Sequence, residues 1–369
     1  MKKLSEKSAK IIFISVCLVV IAVCLILIIA YCVNLRPEND SVSANKTDIT
    51  TDKADDTSYI GVDTEATDFV EDTTSLSLDI YIEKKREIIE KYSLQIEDYV
   101  NSSRPLYNKI VDGLDEDGET EEISYYPEIA FSYYDIENGY ELSYNGDRVF
   151  YSASIIKAPY ILYILREIDE KKSDESFDVD GSIYDMQRAF VYTEDKFVEG
   201  SGIIKKSEFG TVYTYEDLVR LSITQSDNIA FNQLRRIFGR DGFYDYMSSI
   251  GVESPRKKIY SLTADEATKC MLEIYGYFES GTENALMLSE WMQTGTHRVM
   301  IPTAVKPTPV ASKYGWDLEA YHDMTIVFDD HPFTLSILTE LENGSSYDNK
   351  FIRNIAKMVY EMHKELYAE

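Results

Sequence analysis

A chain of 369 residues that is 44% hydrophobic and 28% charged can bury an ordinary core as one large or two modest domains. Its 65 acidic residues against 37 basic ones give a net charge of −28, which excludes nucleic acid as a partner, because phosphate binding rests on basic surface. Cys17, Cys24 and Cys32 share one apolar run and only Cys270 lies in the body, so no disulfide is expected there; His297, His322, His331 and His363 show no metal-ligand spacing, and neither a metal nor another cofactor is expected.

Residues 1–10 carry Lys2, Lys3, Lys7 and Lys10 and are expected to be a cytoplasmic tail. The charge-free run at residues 11–33 is long enough to cross a hydrocarbon core, which needs roughly 20 residues. Lysines before the run and acid after it place the N-terminus in the cytoplasm. A cleaved signal peptide competes, but Ala30-Tyr31-Cys32-Val33 is a poor small-x-small site, so the expectation is a single-pass cell-membrane anchor with the rest of the protein outside the cytoplasm. Residues 34–77 are rich in Asp, Thr, Ser and Glu, cannot bury enough apolar surface to offset ordering entropy, and are expected to be a disordered acidic tether. Residues 78–369 form the folded domain.

Within that domain Ile88, Ile89, Tyr92, Ile96, Tyr99 and Val100 recur at helical spacing. Glu128 to Asp135 and Gly139 to Tyr144 form a hairpin across Asn138-Gly139. Helical patterns follow over Ile161 to Ile168, Tyr215 to Phe238, Arg240 to Ile250 and Ala264 to Phe278. Three β-rich runs (Pro309 to Asp317, His322 to Phe328, Phe333 to Leu341) precede an amphipathic helix from Asn349 to Tyr367. The order is helix, two strands, helical insert, three strands, helix.

The sequence S-x-x-K occurs at Ser43–Lys46, at Ser254–Lys257 and at Ser154-Ile-Ile-Lys157. Only Ser154 follows two strands and opens an apolar helix, where residues three apart share a face, so a desolvated Lys157 can serve as base to a Ser154 nucleophile. Ser226-Asp227-Asn228 suits a helix N-cap, and equally a hydroxyl that relays a proton to a leaving nitrogen beside an amide that holds substrate. Lys313-Tyr314-Gly315-Trp316 suits an edge strand, or a cation for a substrate carboxylate that also depresses Lys157 by like-charge repulsion, with Gly315 admitting close backbone approach. Gly200-Ser-Gly202-Ile-Ile-Lys-Lys-Ser207 lacks the glycine before the lysine that a phosphate loop requires and is expected to be a turn.

Three motifs in this order resemble class A β-lactamases and penicillin-binding proteins. The resemblance runs from about residue 80 to the end. It implies an α+β fold, a five-stranded antiparallel sheet flanked by N- and C-terminal helices with an all-helical insert. It further implies acyl transfer at Ser154 with Lys157 and Ser226 moving protons, Asn228, Lys313, Tyr314 and Gly315 binding substrate, and the backbone N–H groups of Ser154 and Trp316 holding the oxyanion. A β-lactam or a peptidoglycan stem peptide is the implied substrate, with a peptidoglycan D,D-carboxypeptidase and a catalytically weak wall-binding module as alternatives. Two departures stand out. Tyr314 replaces the usual small hydroxyl residue, and no E-x-x-L-N glutamate lies between Asn228 and Lys313. Slow deacylation is therefore expected, with neither Glu253 nor Glu266 as the water-activating base.

Overall fold

Alternation of apolar residues decides which side of the sheet each helix covers. The computed structural model describes residues 73–112, 120–342 and 344–368. Strands β1 (Ile129–Asp135), β2 (Glu141–Tyr144), β3 (Val310–Asp317), β4 (Ala320–Val327) and β5 (Phe333–Thr339) form one antiparallel sheet in the order β2-β1-β5-β4-β3. Along β1, Ile129, Phe131 and Tyr133 join one core and Ala130 the other, the period of two expected when both faces are covered. Phe131 lies opposite Ile337 and Tyr133 opposite Leu335, so the two strands contribute to the same cores.

Helices α1 (Thr73–Ser103) and α8 (Ser346–Leu366) cover the first face, with Ile96, Val100, Ile355 and Val359 fully buried against it. Each such side chain contributes roughly 1.5–3 kcal/mol on burial. The second face carries α6 (Ala264–Glu279), whose Thr268 hydroxyl donates to Ser132 O at 3.0 Å. Around α6 gather α2 (Lys157–Ser173), α3 (Tyr215–Thr224), α4 (Asn228–Phe238), α5 (Asp241–Ser249) and α7 (Glu283–Gln293). The first half of α2 is buried on every side, as befits the central helix of a helical layer.

The expected α+β architecture is present: terminal helices, five-stranded sheet and helical insert. Three local features differ from the expectation. The run Tyr215 to Phe238 is two helices, because Ser226 takes a left-handed backbone conformation (φ 51°) and Asp227 caps the second one. Helix α1 starts at Thr73, inside the stretch expected to be tether. A polar hairpin pairs Tyr107–Asp112 with Thr120–Tyr125, where no alternation marked strands. The tail, the span expected at 11–33 and the tether up to residue 72 lie outside the described residues. Among the described residues no helix is long and apolar enough to cross a membrane.

Candidate active site

Ser154 is held by the segment before it. Phe150 and Tyr151 pair with Leu262 and Ser261, and Ser152 N donates to Tyr260 O at 2.8 Å. His322 on β4 fixes the same segment: its Nδ1 accepts from Thr339 N at 3.0 Å, so Nε2 carries the proton and donates to Tyr151 O at 2.7 Å. Full burial lowers the His322 pKa to about 4, which keeps the ring neutral. Gly315 on β3 backs directly onto this turn, where a Cβ would stand 3.0 Å from Ser152 O and 3.1 Å from Ile155 N. Ala153 adopts φ 43°, and Ser154 follows it in a short 3₁₀ turn that leads into Lys157, the first residue of α2.

Two buried amines converge on Ser226. Lys157 Nζ donates to Ser226 O at 2.6 Å, to Ser226 Oγ at 3.3 Å and to Asn228 Oδ1 at 2.7 Å. Lys313 Nζ donates to Ser226 Oγ at 3.1 Å and to Tyr314 O at 2.8 Å. Lys157 is 3% exposed and Lys313 1%. Burial lowers the Lys157 pKa to about 7, with the Asp227 carboxylate pulling the other way. Burial, and then repulsion from Lys157, lowers Lys313 well below its ordinary value. The expectation that Lys313 helps depress Lys157 by repulsion needs correction: loss of water lowers Lys157, and the repulsion between the two acts on Lys313. Ser154 is not among the hydrogen-bond partners of Lys157, although both side chains line one cleft. The i, i+3 spacing brings the two residues to that cleft, while the amine turns toward Ser226 and Asn228.

Capping by Asp227 leaves Ser226 and Asn228 turned toward Lys157. Asp227 Oδ1 accepts from Ile229 N and Ala230 N as an N-cap, while Ser226 and Asn228 face Lys157. The second Asp227 oxygen accepts from Ile203 N at 2.6 Å and Ile204 N at 2.9 Å. Asn228 N donates to Ser201 O, and Asn228 Nδ2 to Glu199 O at 3.1 Å. Gly200 (φ 101°) and Gly202 (φ 118°) make this clasp possible, because a Cβ on either would strike Asn228 or Asp227. The segment expected to be a plain turn is thus a wall of the site. Its signal, two glycines flanking one serine, was visible but carried no partner.

Behind Lys313 lie groups that no motif announced. Asp323 is buried, accepts from Ile301 N at 3.1 Å, and has its pKa raised to about 7 by burial. Arg298 directs its guanidinium at Met292 O and Val310 O. His297 Nε2 donates to Tyr321 OH at 2.9 Å, since that hydroxyl itself donates to Asn349 Oδ1 at 2.7 Å. The Tyr314 ring lies 4.6 Å from the His297 ring and 4.3 Å from Lys313 Nζ, and its phenol faces the side chains of Thr296 and Ser226. The hydroxyl at Tyr314 therefore turns back toward Ser226, with an aromatic ring where a small residue was expected.

A cleft of about 420 Å³ opens over Ser154, lined by Lys157, Asn228, Phe231, Tyr260, Trp316 and Asp317 among others. It continues past Trp316 into a second space of about 550 Å³ beside Thr296, His297, Tyr314, Leu318 and Glu342. Among the described residues, the carboxylates lining the first space are Glu199 and Asp317. Glu199 is 80% exposed and lies 3.7 Å from Lys205. Glu266 is elsewhere and occupied: its Oε1 accepts from Glu253 N and Ser254 N and its Oε2 from Thr263 N. Glu253 accepts from Ser248 Oγ and does not line the cleft.

The family model of the Beta-lactamase enzyme family matches residues 119–363. No curated protein matches the chain. Among solved structures the fold is similar to that of PBP-A, with 18% identity, TM-score 0.59, and 74% of this chain and 96% of that chain covered. A β-lactamase from Sphaerobacter thermophilus superposes with TM-score 0.55 at 20% identity, over 65% of this chain and 92% of that one. A class A β-lactamase from Mycobacterium abscessus gives TM-score 0.53 at 17% identity, over 64% and 94%.

Proposed function

Because the chain belongs to the β-lactamase enzyme family and is a serine hydrolase, we propose that it is acylated at Ser154 by an amide of the β-lactam or D-Ala-D-Ala type and releases the acyl group slowly. The observation that carries this is the Ser226 hydroxyl, hydrogen-bonded by both Lys157 and Lys313, with Lys157 lining the same cleft as Ser154. Neutral Lys157 takes the Ser154 proton as Oγ attacks the carbonyl carbon. The N–H groups of Ser154 and Trp316 receive the oxyanion, a term worth on the order of 3 kcal/mol per donor. The proton then passes from Lys157 through Ser226 to the leaving nitrogen as the C–N bond breaks. Catalytic contacts of this kind tighten when substrate binds, which accommodates the gap between Lys157 and Ser154. Water releases the acyl group in a second step, slow because no E-x-x-L-N glutamate lies between Asn228 and Lys313 and Glu266 sits outside the cleft, tied to three backbone N–H groups.

A PBP-A variant forms an acyl-enzyme complex with penicillin G on this fold, which favours a long-lived adduct here. The anchor at residues 11–33 would hold the domain on the outer side of the cell membrane, where peptidoglycan stem peptides lie. The test is intact-mass spectrometry of the domain after exposure to fluorescent penicillin and to a depsipeptide thioester, beside Ser154→Ala. An adduct that the variant lacks and that persists for many minutes supports the proposal. An adduct retained by the variant, or none from either reagent, overturns it.

A further inference from the structure

Tyr260 is held in a backbone conformation that its side chain disfavours. Its φ of 57° lies in the left-handed region, where a bulky residue stays only if its surroundings over-determine it. Two contacts do so here. The Tyr260 carbonyl accepts from Ser152 N at 2.8 Å, close before the nucleophile, and Arg235 donates to the phenol with its guanidinium over the ring at 4.9 Å. The ring so placed lines the cleft over Ser154, together with Phe231 and with Tyr151, which meets it edge-on at 6.4 Å. Behind Tyr260 and Phe231 the space left among Tyr160, Phe243 and Ile259 is about 20 Å³, room for one water, so the two rings are backed by protein.

This cleft holds the acyl part of a substrate. A group bonded to Ser154 Oγ stays inside it, whereas Ser226 and Lys313, toward which the leaving nitrogen departs, are not among its lining residues. Its charged lining residues are Lys157, Glu199 and Asp317, and Arg235 and Arg240 stand behind the rings. A neutral aromatic group stacked on Tyr260 and Tyr151 makes no demand on any of them. We infer that Tyr260, backed by Arg235, determines specificity: with Tyr151 and Phe231 it receives an aromatic side chain on the acyl group. Ring–ring contact adds to the gain from burial, and a wall already in place costs little to order. The inference rests on acylation at Ser154 as proposed above and adds which acyl groups that acylation favours. It concerns the acyl group alone, so it holds for β-lactams and for D-Ala-D-Ala-type substrates alike, with their carboxylate-bearing leaving groups.

The test uses two thioesters that share the thiol mercaptoacetate and differ only in the acyl group, phenylacetylglycyl and acetylglycyl. Ser154 Oγ takes the acyl group as the C–S bond breaks, so released thiol and the mass of the Ser154 adduct read the same step. The phenylacetyl compound should acylate faster, by about tenfold or more in second-order rate. Tyr260→Gly suits the left-handed backbone and removes the ring, and should bring the ratio of the two rates to within about twofold. Any loss common to both compounds cancels in that ratio. Tyr260→Phe keeps the ring and should keep the ratio. Equal rates in the native protein, or a ratio that survives Tyr260→Gly or is lost in Tyr260→Phe, overturn this inference and leave acylation at Ser154 standing. No Ser154 adduct from either compound overturns both.

Discussion

Lys157 and Lys313 donate to the same oxygen, Ser226 Oγ, at 3.3 and 3.1 Å, and both amines are almost wholly buried. Two ammonium groups sharing one neutral hydroxyl in a dry site cannot both stay charged at small cost. Burial lowers both, Lys157 to about 7 and Lys313 well below its ordinary value. In the proposed mechanism the base and the proton relay are therefore two parts of one device.

The pH profile should report this amine. The base must be neutral, so the acylation rate should rise with pH, reach half its limit near 7 and level off above. Stability follows by linkage: between about 7 and roughly 10.4 the unfolded chain binds a proton that native Lys157 does not, so this group makes stability rise with pH across that window. Stopped-flow labelling from acidic to alkaline buffers checks the first claim, and denaturant midpoints check the second. A flat rate profile across neutrality would remove Lys157 as base.

Ser226→Ala should separate proton donation from fold. Lys157 keeps Ser226 O and Asn228 Oδ1 as acceptors, and Lys313 keeps Tyr314 O, so the stability loss should stay near ~1 kcal/mol. Acylation by an amide should fall by about 10²–10⁴, the usual value of a general acid. A thioester leaves without protonation and should lose far less. Equal losses for amide and thioester would assign Ser226 to substrate binding instead.

Glu266→Gln should destabilise the domain without changing the acyl-enzyme lifetime. The carboxylate accepts from Glu253 N, Ser254 N and Thr263 N, and an amide can satisfy at most part of that set. A loss of about 1.5–3 kcal/mol is expected in urea unfolding. Slower deacylation at unchanged stability would instead make Glu266 the water-activating base.

Much of this arrangement was legible because local and long-range signals agreed. The Asn138-Gly139 turn marked the hairpin that Ile129–Asp135 and Glu141–Tyr144 form, and Lys157, Ser226, Asn228 and Lys313 join through hydrogen bonds behind the cleft that Ser154 lines. What was hidden depends on contacts through space. Apolar periodicity runs on through Tyr215 to Phe238, and only the positive φ of Ser226 divides the helices. Strand Thr120–Tyr125 is mostly polar, so no face declared itself. Asp323, Arg298 and His297 take their roles from burial behind or beside Lys313, and neighbours in sequence say nothing of that.

Gly202→Ala probes the clasp on the Ser226-Asp227-Asn228 motif. At φ 118° any L residue is strained, and the added Cβ would stand 2.2 Å from Asp227 Oδ2 and 2.7 Å from Asp227 Cα, so backbone must move. That movement would break the bonds from Ile203 N and Ile204 N to Asp227 and release the Glu199 carbonyl that orients Asn228. Gly210→Ala is the matched control, with φ 96° and open space around its Cβ. Both variants should lose about 1–3 kcal/mol to backbone strain. Only Gly202→Ala should also slow acylation, by roughly tenfold, since Asn228 and Ser226, which together hold Lys157, sit on either side of Asp227. Equal acylation rates in the two variants would show that the clasp shapes the fold and leaves the chemistry of Ser154 untouched.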